Sequence, residues 1–265
     1  MVIKLKKRII SAIIMTLIVI PFIIIGGNVF NIGISILSIL AFKELMNLND
    51  SKDYPLFIKI ISLICILFLI NYKNTNVDSL LYIPVWIISS IIVLLFIPVV
   101  FDIKNYNSNK AFKMLANVLF LGITFNLLIS TYNYNLKYFL LLIVICIFTD
   151  MFALFGGKLF GKHNFTDISP NKTIEGCISG SLVAVIVSAI FYYFFISKHL
   201  IIIKILIILL LSIVGQVGDL FFSKIKRDNN IKDFSNLIPG HGGILDRLDS
   251  FTFVLLMFSI VFRLL

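Results

Sequence analysis

A chain of 265 residues with 60% hydrophobic content and a mean hydropathy of +1.07 has too little polar surface to cover a water-soluble globule, so it reads as an all-α, polytopic membrane protein. The net charge of +10 would suit nucleic acid in a soluble domain, but in a membrane protein basic residues report orientation first, and no nucleic-acid partner is expected. The cysteines Cys65, Cys146 and Cys177 lie in or beside apolar runs at unrelated spacings, which speaks against a disulfide framework or a zinc site.

Apolar runs recur at roughly 9–26, 29–43, 56–71, 80–101, 113–131, 137–155, 176–196, 200–220 and 247–265. Each is near the length a helix needs to cross hydrocarbon, which predicts about nine transmembrane helices. The second and third are the shortest, and the last reaches full length only with its polar start counted as helix. The first follows Lys4, Lys6, Lys7 and Arg8, as a secretory signal would. It runs to Ile25, however, and ends in Gly26-Gly27-Asn28 with no small-x-small cleavage site, so it is expected to be a retained span.

With the N-terminus cytoplasmic, the segments 1–8, 44–54, 102–113, 156–175 and 221–247 face the cytoplasm. Counting Lys43 at the edge of the second, they hold seventeen of the twenty-three Lys and Arg residues. The opposite side keeps Lys73, Lys137, Lys198 and Arg263, while Lys59 and Lys204 fall within spans. That bias sets the expected orientation in the cell membrane. The loops before residue 150 carry no concentrated motif, so 1–136 reads as membrane scaffold. Residues 137–265 form the expected catalytic region, its site built at the cytoplasmic face from loops 156–175 and 221–249.

The densest chemistry lies between Asp219 and Asp249, which hold five of the thirteen acidic residues. Charges gathered at a membrane edge normally serve function. Ser212, Gln216, Asp219, Ser223 and Lys226 follow at spacings of 4, 3, 4 and 3, so they line one face of a helix leaving the membrane, with Arg227 beside them. A carboxylate such as Asp219 on the apolar side of that end needs a metal or a base as partner, whereas Lys224 alone reads as an ordinary snorkelling base. Asp228-Asn229-Asn230 reads as a turn, and Pro239-Gly240 with Gly242-Gly243 forces an irregular path around His241. Glycines ahead of the last helix would bring bare N–H groups towards an anion. Asp246 and Asp249, three apart, share a helix face and suit magnesium, which takes one or two carboxylates and completes its shell with water and substrate phosphate. The plainer alternative has both acids favouring the helix dipole and pairing with Arg247.

In the other loop, Asp150, Ala153, Gly157 and Gly161 form a small-residue face, and Gly176, Gly180, Ala184 and Ser188 form a second one. Both predict close helix packing. Gly156 to Lys162 fits the start of a P-loop, but His163 stands where Ser or Thr is required, and the stretch follows a membrane helix rather than a strand. Lys158, Lys162 and Lys172 remain candidates to meet phosphate or to mark the positive-inside side.

From Ser223 to Asp249 the chain reads S-K-I-K-R, four residues, then K-D-F-S-N-L-I-P-G-H-G-G-I-L-D-R-L-D, and from Ser169 to Gly176 it reads S-P-N-K-T-I-E-G. On these residues the chain resembles the phosphatidate cytidylyltransferase, or CDP-diacylglycerol synthase, family. Leu154 departs from the aromatic that the family usually carries there. The motif-level resemblance covers about 150–176 and 215–250. It implies transfer of CMP from CTP to phosphatidic acid in the bilayer, with magnesium as cofactor, a second cation left open, and a homodimer. It further implies Asp219 and Asp246 as metal ligands, Asp249 as a third acidic member, and Lys226, Arg227 and His241 as holders of the triphosphate or leaving pyrophosphate. Ser223, Lys172, Lys232, Gly242, Gly243 and Arg247 complete the expected substrate-binding set. Rival readings are a lipid transporter, with Asp150 and Asp219 lining a path, and another CTP-dependent lipid enzyme, including a kinase. Against the first, the charges gather at one face rather than the midplane, and no internal repeat is visible.

Overall fold

The computed structural model describes residues 2–49, 51–73, 80–101, 103–166, 168–170, 172–199 and 202–265, without the side chains of residues 2–10, 12, 13 and 16. The basic start Lys4, Lys6, Lys7 and Arg8 is among those side chains. Asn171 and the first two residues of the predicted span 200–220 also lie outside the described residues.

Among the described residues there are nine α-helices and no strands: α1 Val2–Ile25, α2 Gly27–Met46, α3 Leu56–Asn71, α4 Val85–Val100, α5 Ser108–Tyr134, α6 Leu136–Phe160, α7 Ile174–Phe195, α8 Ile202–Asp228 and α9 Leu245–Val261. Each expected apolar run overlaps one of these α-helices. Five (α2, α5, α6, α7 and α8) are long and apolar enough to cross a membrane, and α3 and α4 are shorter apolar helices. Large apolar side chains such as Leu17, Ile32, Ile64, Trp86, Phe194 and Ile202 point outwards, as a surface facing hydrocarbon requires.

Helix ends depart from the apolar runs where local chemistry overrides hydropathy. α4 starts five residues late because Pro84, in extended geometry at its N-cap, lacks an N–H and biases the preceding residue away from helix. α5 starts early because the Asn107 side chain accepts the Lys110 N–H at 3.0 Å, an N-cap bond. α8 runs on to Asp228 and ends in a Schellman motif: Ile231 N–H donates to Lys226 O and Asn230 N–H to Arg227 O, with Asn230 at φ 56°.

The chain divides into two compact units, residues 1–130 with 233–246, and residues 131–232 with 247–265. The segment 233–246 thus groups with the N-terminal helices rather than with the region 137–265. Within the first unit, α5 buries Ala111, Met114, Val118, Leu121 and Phe125 at spacings of 3, 4, 3 and 4, one stripe of a helix. The buried Asn126 amide donates to the carbonyls of Leu69, Ile70 and Tyr72, which the end of α3 would otherwise leave unpaired. Tyr106 donates to Leu95 O at 2.9 Å. Burial, then the nearby Tyr54, push its phenol up to about 12, so it remains a neutral donor.

Within the second unit, α6 and α7 pack backbone to backbone along the small-residue faces. A Cβ on Gly180 would stand 2.6 Å from Thr149 O, and one on Gly176 would stand 2.6 Å from Ala153 O. α6 therefore continues through Gly156 and Gly157 as far as Phe160. That geometry gives no phosphate-cradling loop at Gly156–Lys162. α8 buries Leu211, Gly215, Gly218 and Phe222 on one stripe, and a Cβ on Gly218 would lie 2.8 Å from Asp249 O of α9.

Candidate active site

The polar stripe of α8 forms a ladder with α6 and α7. Ser212 Oγ lies 2.8 Å from Thr149 Oγ1 and donates to Ser181 Oγ at 3.1 Å. Gln216 Nε2 donates to Ser181 Oγ at 2.7 Å and to Cys177 O at 3.2 Å. One step further along the helix, Asp219 Oδ2 accepts from Lys172 Nζ, and Ser223 Oγ sits at 3.5 Å from Asp219 Oδ1. The periodicity read from the sequence thus places these side chains on one face, and each reaches a polar partner as buried groups must.

Lys172 reaches Asp219 because its loop is held at both ends. Phe165 N–H donates to Lys172 O at 2.8 Å and Ile174 N–H to His163 O at 3.0 Å. The Thr173 hydroxyl caps α7 by accepting the Gly176 N–H at 3.1 Å. Glu175 accepts from the N–H groups of Lys162 and His163 and pairs with His163 Nδ1 at 2.6 Å.

Two further carboxylates join Asp219 in this unit. The charges of Asp150, Asp219 and Asp249 lie within electrostatic range of one another, with Lys172 and Arg247 acting on Asp150 and Lys226 on Asp249. Ser250 contributes its hydroxyl to Asp150 Oδ2 at 3.4 Å and its N–H to Asp249 Oδ1 at 2.8 Å. Asp150 and Ser250 were not in the expected site set. The sequence does mark Asp150, as the carboxylate heading the small-residue face of α6 and the start of the stretch 150–176 covered by the family resemblance, whereas Ser250 carries no such mark. Arg227 is exposed and donates to Ile231 O at 3.2 Å, so its guanidinium closes the turn after α8. Lys232 is exposed. Lys224 pairs with Asp228 at 2.8 Å in an exposed i,i+4 ion pair.

The remaining expected residues belong to the loop 233–246 of the first unit. His241 N–H donates to Ile238 O at 2.9 Å and Gly240 has φ 79°, which makes Ile238 to His241 a type II turn with Pro and Gly at its two central positions. His241 Nδ1 lies 2.7 Å from Ser11 Oγ. The glycine amides are used inside the loop: Gly242 N–H donates to Ile238 O at 3.1 Å, and Gly243 N–H to Asp246 Oδ2 at 2.9 Å. The reading that these two N–H groups wait bare for an anion therefore gives way to one in which the loop satisfies its own donors, as burial demands. Asp246 is 7% exposed, and its Oδ2 also accepts the Phe234 N–H at 2.8 Å. Asp246 accepts from Phe234 and Gly243 and Asp249 from Ser250, so these hydrogen bonds are not shared by the two acids expected to act as neighbours.

Among the described residues no group of three or more His, Cys, Asp or Glu side chains forms a metal-binding cluster by itself. The donor chemistry still fits magnesium, a hard cation that uses one or two carboxylates and takes its other ligands from water and phosphate. Asp219 in the second unit and Asp246 in the first are each oriented by hydrogen bonds of their own, as ligating carboxylates usually are.

The cytidylyltransferase family model matches residues 6–265. A phosphatidate cytidylyltransferase of Staphylococcus epidermidis is 36% identical over 261 residues, covering 97% of this chain and 98% of that protein. One of Staphylococcus aureus is 36% identical over 263 residues and one of Staphylococcus haemolyticus 35% over 263, with the same coverage. With the match running nearly end to end in both directions, the chain belongs to the cytidylyltransferase family.

Proposed function

We propose that the protein transfers CMP from CTP to phosphatidate, forming CDP-diacylglycerol and pyrophosphate. The observation that carries this reading is the likeness, over 97% of the chain, to relatives named phosphatidate cytidylyltransferase. The chemistry is a displacement at phosphorus. A phosphate oxygen of the lipid bonds to the α-phosphorus of CTP, the bond from that phosphorus to the bridging oxygen breaks, and pyrophosphate leaves with the electron pair. Because the lipid phosphate is already ionised at neutral pH, the enzyme needs charge neutralisation and alignment rather than a dedicated base.

Lys172, Lys226, Arg227, Lys232 and Arg247 supply positive charge for the triphosphate and the lipid headgroup, with Ser223 and His241 as hydrogen-bonding partners. Gly242 and Gly243 contribute loop shape. Asp219 and Asp246 would hold magnesium, with Asp249 as the third acidic member and a second cation left open. When bound, such an ion neutralises charge on the reacting phosphates. Nine spans, a cytoplasmic N-terminus, a site facing the cytoplasm of the cell membrane and a homodimer complete the proposal, supported by the basic-residue bias and by the likeness to the family.

Separate assays with α-labelled and γ-labelled CTP and phosphatidate vesicles test the reaction. Lipid-borne label is expected from α-labelled CTP alone. Label from γ-labelled CTP would indicate a kinase, and label from neither would leave no transferase.

A further inference from the structure

We infer that Glu44, far from the family motifs in the sequence, is a positioning residue for this reaction: it clamps the glycine loop and the start of α9. The inference rests on the activity proposed above. Glu44 is 4% exposed. Its Oε1 accepts from Ser235 Oγ at 2.7 Å and from Ile244 N–H at 2.8 Å, and its Oε2 accepts from Leu245 N–H at 2.9 Å. The first N–H groups of a helix have no partner within the helix. Here α9 obtains them from a carboxylate two hundred residues away in the chain.

Position along α2 points the same way. Glu44 lies in the last turn of α2, where a negative charge opposes the helix dipole. At the start of α9 the same charge is favoured, so the tertiary contact accounts for what the local helix does not. Gly243 records the clamp as well. A Cβ there would stand 2.6 Å from Glu44 Cδ and 2.7 Å from Oε2, so any larger residue at 243 would have to displace the carboxylate from its present position. Glu44 and Asp246 together take the N–H groups of Phe234, Gly243, Ile244 and Leu245. That fixes the backbone carrying His241, Asp246 and, by the next residue, Arg247.

The test uses the full-length protein in detergent micelles with Glu44→Gln, which keeps size but turns one oxygen into a donor facing a donor. A buried group left opposed in this way is expected to raise amide exchange over 241–247 by about tenfold or more, with α6 to α8 unchanged. KM for CTP should rise by about tenfold or more while KM for phosphatidate stays at the wild-type value. Unchanged exchange in the loop would overturn the clamp. A loosened loop with wild-type kinetics would overturn its role in the reaction. If Glu44→Gln does not accumulate folded, Ser235→Ala removes a single bond, and a smaller rise in the same two quantities is expected; no rise in either again overturns the proposal. Wild-type protein that forms no CDP-lipid would instead sink the assigned activity, and the exchange comparison would still decide the clamp.

Discussion

Asp246→Asn separates a metal ligand from a loop clamp. Asp246 Oδ2 accepts two backbone N–H groups, from Phe234 at 2.8 Å and Gly243 at 2.9 Å. An asparagine can turn its amide oxygen to both donors, so the geometry survives and only the charge assistance is lost. A hydrogen bond to a charged group contributes about 1.5–3 kcal/mol and a neutral one about 0.5–1.5 kcal/mol, which places the cost of the two together at about 2 kcal/mol. A clamp weakened that far leaves most molecules folded and turnover within a few-fold of wild type. The loss of an outer-shell partner alone costs about 10- to 100-fold in metal affinity or activity, and a direct ligand should cost no less. Turnover at magnesium levels that saturate the wild type should therefore fall by about 100-fold or more, with the magnesium midpoint moved upwards. The assay is CDP-lipid formation from labelled CTP across a magnesium titration, with thermal unfolding of the solubilised variant measured alongside. Near-normal turnover with an unchanged midpoint would refute the ligand assignment and leave Asp246 to the loop alone.

In a cysteine-free background, a cysteine at Asn236 is expected to react with an impermeant thiol reagent from the cytoplasmic side only, and one at Asn133 from the opposite side only; labelling of both from one side contradicts the topology. Gly180→Ala places a methyl carbon 2.6 Å from Thr149 O and 2.9 Å from Ala153 N. Overpacking of that kind costs about 1–3 kcal/mol, so the midpoint of thermal unfolding should fall measurably, and an unchanged midpoint would show that α6 and α7 can part at no cost.

Periodicity carried most of what was legible before the structure. Hydropathy located each helix, and the spacings of Ser212, Gln216, Asp219 and Ser223 located the face that meets Thr149, Ser181 and Lys172. The small residues Gly176 and Gly180 likewise announced a seam. Pairings between distant segments were not legible. Glu44 sits at the end of an apolar run like many a helix-end charge, and nothing in its neighbourhood names Ile244 or Leu245 as partners. The sharing of a helix face by Asp246 and Asp249 was a sound inference from spacing, but spacing does not say which donors a carboxylate will find. Backbone N–H groups of an irregular loop, which carry no side-chain signature, captured Asp246.

Charge balance in the second unit bears on the cofactor. Asp150 and Asp249 both feel the charge of Asp219, and Asp249 also that of Asp150, offset only in part by Lys172 and Arg247 at Asp150 and by Lys226 at Asp249. A nucleoside triphosphate and a lipid phosphate each bring further negative charge to a site where low polarity strengthens repulsion. If the substrates drew the lysines and the arginine to themselves, three carboxylates would be left exposed to one another. A divalent cation entering with the nucleotide relieves both demands at once, since carboxylates and phosphates are the ligands magnesium prefers. On the activity proposed above, a protein with a formal net charge of +10 that gathers acids beside its phosphate-binding bases would use those acids to hold a metal.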